Sequence, residues 1–102
     1  METTLAGKTI SVNEEGYLTD FTQWDEKVGE TIAAEADITL SPRHWEVIKY
    51  LQNEHRNQVA LSIRRVGQSG EVDIKEFYAL FPKAPLKTAT KIAGIPKPAS
   101  CI

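Results

Sequence analysis

The sequence predicts an α+β fold, mostly α: a small helical bundle with an N-terminal β-hairpin and an extended C-terminal arm. Three observations lead there. Residues 7–19 alternate polar and apolar side chains around turn-forming residues. Four helix-start signals, at Asp25, Ser41-Pro42, Asp73 and Pro85, each precede apolar residues at helical spacing. The last nine residues hold two prolines and a glycine, which disfavour both helix and interior strand. A chain of 102 residues, 41% apolar and 25% charged, suits one domain with one modest core. The expected division is a domain over residues 1–94 and a flexible arm over 95–102.

In the hairpin, Thr9-Ile10-Ser11-Val12 alternates, Asn13-Glu14-Glu15-Gly16 supplies turn chemistry, and Tyr17-Leu18 returns. Asp25 is placed to cap a helix running to about Ala36, with Val28, Ile32 and Ala33 on one face, and Trp24 just ahead as a core anchor. Ser41-Pro42 is the clearest start: serine at the N-cap, proline at the first helical position, Leu40 stapling back. That helix is expected to reach about Glu54 through Trp45, Ile48 and Leu51. Val59, Ile63 and Val66 suggest a short helix closed by Gly67, with Gln68-Ser69-Gly70 as a turn. Asp73 and Glu76 have the spacing of a capping box for a helix to Phe81 that buries Ile74 and Phe77. Pro82 stops it, and Pro85 opens a last helix that Gly94 terminates.

The arm carries the one cysteine, Cys101, next to the end of the chain. From Gly94 to Cys101 the chain spans roughly 20–25 Å if extended. A thiol there can be carried into another protein's cleft. Ile95 to Ile102 holds too little apolar surface to offset roughly 1 kcal/mol or more of ordering per residue, so the arm is expected to be mobile.

Charge is uneven. Residues 1–40 hold nine acids against Lys8 and Lys27, whereas Lys83, Lys87, Lys91 and Lys97 stand in the last 20 residues with no acidic side chain. These four lysines are candidates for contact with an acidic partner surface. A single cysteine excludes an internal disulfide framework and a cysteine-rich zinc site. His44 and His55 are about 16 Å apart along a helix and cannot share a metal there, so no metal or cofactor is expected. His44 is expected to pack or hydrogen-bond within the first turn of its helix. No phosphate loop or serine nucleophile motif is present. With no apolar run of membrane-spanning length and no signal-peptide pattern at Met1-Glu2-Thr3-Thr4, a cytoplasmic location and no membrane partner are expected.

Several stretches resemble the DsrC/TusE family of sulfur-relay proteins: Gly16-Tyr17-Leu18, Gln23-Trp24, Leu40-Ser41-Pro42-Arg43-His44-Trp45-Glu46-Val47, Leu80-Phe81-Pro82-Lys83, and Ala89-Thr90-Lys91-Ile92-Ala93-Gly94-Ile95-Pro96-Lys97-Pro98, with Cys101 at the family's penultimate position. Together they cover about two-thirds of the chain. The resemblance implies a sulfurtransferase of the carrier type, with Cys101 as catalytic residue. The cysteine would accept a persulfide sulfur from a TusBCD-like donor complex and pass it towards the enzyme that thiolates the wobble uridine of tRNA. Members that act with dissimilatory sulfite reductase have a second cysteine where this chain has Thr90, so the similarity is to the single-cysteine, TusE-like branch. Residues 53–79 run shorter than the family's usual segment. Association with a sulfite reductase is the first alternative. The second is a helix-turn-helix regulator using Arg64 and Arg65, although the acidic Asp73 and Glu76 of the would-be recognition helix make direct nucleic-acid binding a poor match.

Overall fold

The computed structural model describes residues 1–97. In chain order these form β1 (Glu2–Leu5), β2 (Lys8–Ser11), a 3-10 turn (Phe21–Gln23), α1 (Glu26–Glu35), α2 (Pro42–Arg56), α3 (Ile63–Gln68), α4 (Ile74–Leu80) and α5 (Pro85–Ile92). The mostly helical bundle and the N-terminal hairpin are as expected. The hairpin itself is displaced. β1 pairs antiparallel with β2, Glu2 opposite Ser11 and Leu5 opposite Lys8. The tight turn is Ala6-Gly7, with φ of 53° and 78°, the two left-handed residues a type I′ hairpin needs. Alanine there gives no turn signal, so the first strand is easily missed. The expected pairing across Asn13–Gly16 survives as a single bridge between Val12 and Leu18.

The helix starts follow the sequence closely. Asp25 accepts from the Val28 amide at 2.8 Å, and Asp73 from the Glu76 amide at 2.7 Å. The Asp73–Glu76 box is only half formed, because the Glu76 carboxylate is taken by Arg43 of α2. Arg43 Nε donates to Oε2 at 2.9 Å and Nη2 to Oε1 at 2.8 Å, and Nη2 also donates to the Glu71 carbonyl. At Ser41, His44 completes the box: its Nδ1 accepts from the Ser41 amide at 3.0 Å. With Nδ1 an acceptor, Nε2 carries the proton and donates to the Leu80 carbonyl at 2.9 Å. One imidazole thus caps α2 and ties it to the end of α4. The short third helix begins later than expected, at Ile63, because Ser62 is its N-cap. Gly67 lies inside that helix, where Ile74 of α4 packs so close that an added Cβ would sit 2.3 Å from Ile74 Cγ1. Ile74 itself is 44% exposed rather than buried, while Phe77 and Phe81 are fully enclosed.

Three of the five helix ends follow one rule. After α1, α2 and α5 the chain turns left-handed at Asp37 (φ 59°), Gln58 (φ 61°) and Gly94 (φ 74°). In each case the next amide reaches back five residues: Ile38 to the Ala33 carbonyl, Val59 to Glu54, Ile95 to Thr90. These are Schellman motifs, and each places an apolar residue just past the helix end. The core they help enclose holds Ile10, Leu18, Val28, Ile32, Val47, Ile48, Leu51, Val66, Phe77, Phe81, Leu86, Ile92 and Ile95.

Two measurements check this account. Asp37→Gly and Gln58→Gly should each stabilise the fold by about 0.5–1 kcal/mol in urea denaturation, because relief of a left-handed side chain exceeds the extra chain entropy of glycine. The Arg43 guanidinium holds the Glu76 carboxyl below its ordinary value. A carboxyl lowered on folding contributes stability that is complete above its unfolded value and is lost as pH falls through the folded one. Wild type should therefore lose stability more steeply than Glu76→Gln on acidification below about pH 4.

Candidate functional site

The C-terminal end of α5 is where the fold hands the chain on. Pro85 suits the first helical position, and Leu86, Ala89, Thr90, Ile92 and Ala93 are all buried. Thr90 is fully enclosed, its Oγ1 donating to the Leu86 carbonyl at 2.7 Å. Position 90 is therefore part of a packed helix and not of an arm.

Five consecutive carbonyls at this end all find donors. Ala89 accepts from the Ala93 amide at 2.9 Å, Thr90 from Ile95 at 3.2 Å and Lys91 from Gly94 at 3.1 Å. Ile92 accepts from Trp24 Nε1 at 2.8 Å, and Ala93 from Gln52 Nε2 at 2.8 Å. Trp24 is held in turn by a stacked Phe21 at 5.9 Å between ring centroids and by an edge-on Trp45 at 6.5 Å. The expectation that the arm begins at Ile95 needs correcting. Ile95 is 1% exposed and belongs to the core, as the residue after a Schellman glycine should. Lys97 is not free either: its Nζ lies 3.0 Å from Glu15 Oε2.

The structure brings three of the four candidate lysines together. Lys87 and Lys91, one turn apart on α5, line a cleft of about 430 Å³ with Glu15, Tyr17 and Glu35. Lys91 Nζ sits 5.3 Å from the centre of the Tyr17 ring, a cation–π distance. Tyr17 Oη donates to the Lys87 carbonyl at 3.3 Å. Lys97 joins this group through Glu15. Lys83 stands in the turn after α4, left-handed at φ 75°, and lines an adjoining depression with Asp37 that shares Glu35 with the cleft. Cys101 lies outside the described residues, so what the fold supplies is its anchorage: three residues, about 14 Å of chain at full extension, separate it from Lys97.

Arg64 and Arg65 line another depression with Tyr50, Glu54 and Ser69. They stand on α3, while α4 opens with Asp73 and Glu76. Among the described residues no cluster of His, Cys, Asp and Glu is arranged to hold a metal, and no helix is long and apolar enough to cross a membrane. Trp24 was legible as an anchor; its bond to Ile92 and the part of Gln52 were not, since neither residue type at those positions carries a capping signal.

A family model described as DsrC like protein matches residues 4–102. Sulfurtransferase TusE of Salmonella paratyphi A is 41% identical over 105 residues, covering 94% of this chain and 95% of that one. The NMR structure of Allochromatium vinosum DsrC superimposes with a TM-score of 0.82 at 31% identity. The crystal structure of the oxidized gamma-subunit of the dissimilatory sulfite reductase (DsrC) from Archaeoglobus fulgidus gives 0.82 at 32%. Both cover all of each chain.

Gly94 tests this geometry. An added Cβ would sit 2.4 Å from Trp24 Cδ1 at a left-handed φ. Gly94→Ala should cost about 2–4 kcal/mol in denaturant unfolding, the sum of strain and overpacking.

Proposed function

The chain belongs to the DsrC-like family, and from that premise we propose that its sulfur-relay chemistry is carried by Cys101. The sulfurtransferase role is common to the TusE relatives. The observation that carries the assignment to Cys101 is that it is the one thiol in the chain, at the end of a family match that runs to residue 102.

In the proposed step the Cys101 thiolate attacks the outer sulfur of a donor persulfide, R–S–SH. A new S–S bond forms as the old one breaks; R–S⁻ leaves, and Cys101 holds –S–SH with the proton it came with. An acceptor thiolate repeats the exchange. A free thiol with a pKa of about 8.5 is only a few per cent ionised near neutrality. Cations near a thiol favour its ionisation. Lys97 is the nearest lysine in sequence, and a partner that competes with Glu15 for it frees that cation.

The donor is proposed to be a TusBCD-like complex, the acceptor a tRNA-thiolating enzyme, and the compartment the cytoplasm. Lys83, Lys87, Lys91 and Lys97 are proposed to meet the acidic surface of a partner. A second reading, association with a sulfite reductase, draws on the likeness to the Archaeoglobus gamma-subunit. A buried Thr90 in place of a second thiol weighs against its two-thiol redox cycle in one chain.

Incubation with a cysteine desulfurase and its persulfide relay should add one sulfur, about 32 Da, to wild type and nothing to Cys101→Ser; an adduct that persists in the serine variant excludes the assignment. Lys87→Glu with Lys91→Glu should slow uptake from the protein donor on the order of tenfold and flatten its dependence on salt. A rate unchanged by both substitutions removes these lysines from the interface.

A further inference from the structure

Two side chains that the sulfur chemistry does not itself use converge on the point where α5 ends. A Schellman motif satisfies the helix's own carbonyls up to Lys91 and needs no outside help. The next two carbonyls, Ile92 and Ala93, point out of the motif and would ordinarily be left to water. Here each receives a side-chain donor, Trp24 Nε1 from the loop before α1 and Gln52 Nε2 from α2, both at 2.8 Å. The two donors come from separate elements, so they fix the exit in two directions rather than one. The Trp24 ring also fills the space where any residue larger than glycine at position 94 would place its Cβ. Gly29 of α1 leaves room from the other side: a Cβ there would stand 3.2 Å from the Ile92 carbonyl and 3.3 Å from Trp24 Cζ2.

We infer that Trp24 and Gln52 are positioning residues for sulfur transfer: by clamping the Ile92 and Ala93 carbonyls they fix where and in which direction the chain leaves α5 on its way to the thiol. The inference rests on the proposed role of Cys101. Its physical basis is preorganisation. A protein donor holds its persulfide in a fixed place relative to the surface on which the carrier docks. A segment that starts from a fixed point reaches that place with less ordering on binding. A small persulfide approaches the thiol from any side and gains nothing from the clamp.

The test uses the full chain, Trp24→Phe and Gln52→Met, each of which keeps most of the side chain's volume and removes one donor. Two donors are compared: the TusBCD-like complex, loaded with persulfide, and glutathione persulfide, which has no docking surface. Ile10→Val, a core change in the hairpin, controls for general loss of stability. Expected are a rise in KM for the protein donor on the order of tenfold in each variant, an unchanged rate with glutathione persulfide, and faster amide exchange at Gly94 and Ile95 but not in α2. An unchanged KM in both variants overturns the inference. So does an equal fall with both donors, an equal rise in Ile10→Val, or unchanged exchange at Gly94 and Ile95. Because the variants act on different carbonyls, misfolding of Trp24→Phe leaves Gln52→Met to decide. Wild type that gains no sulfur from either donor, seen by intact mass, instead overturns the role of Cys101.

Discussion

Burial of α5 is the constraint on which the rest of this structure depends. The helix is eight residues long, too short to persist in water by itself, and it packs against α1, α2 and α4. Its apolar face shares one continuous core with Val28 and Ile32 from α1, Val47, Ile48 and Leu51 from α2, Phe77 from α4 and Phe81 just past its end. A segment held from three sides makes a firm base. The hairpin, which is marginal on two strands, gains its support through Leu5 and Ile10 in the same core.

Much of this was legible in sequence because helix beginnings are marked by side chains and most helix ends here are not. Asp25, Ser41, Asp73 and Pro85 advertise their roles. Of the three Schellman closures only the one at Gly94 has the residue that marks it; Asp37 and Gln58 adopt the same left-handed turn against their intrinsic preference, paid for by the burial that follows. The apolar residue after Gly94 could have been read as the final element of that motif, which places Ile95 inside. Treating it as the first residue of a free arm overlooked the partnership. The first strand was hidden by an Ala-Gly turn. The Glu76 carboxylate was assigned to its own helix when a guanidinium from α2 competes for it more strongly. Local signals outline the elements; the side chains that link elements are chosen by tertiary neighbours.

The uneven charge along the chain also looks different in three dimensions. The acidic front and basic end meet where Glu15 holds Lys97 and Tyr17 of the same turn carries Lys91 on its ring, while within the front Asp25 pairs with Lys8 at 2.7 Å. Part of the asymmetry is thus complementarity within the domain. These exposed pairs contribute little to stability, but they set which cations a partner meets and which it must first win from a carboxylate.

Thr90 has an evolutionary corollary. Its side chain is fully enclosed, and its hydroxyl bonds only to carbonyls of its own helix. A cysteine side chain is nearly the same size, and its loss of those bonds leaves no buried acceptor stranded, since the helix amides already serve the carbonyls. The scaffold can therefore exchange hydroxyl for thiol at this position with little structural resistance. A one-thiol and a two-thiol form of this scaffold would differ by a single substitution that the packing tolerates, so the choice between them is set by chemistry, not by folding.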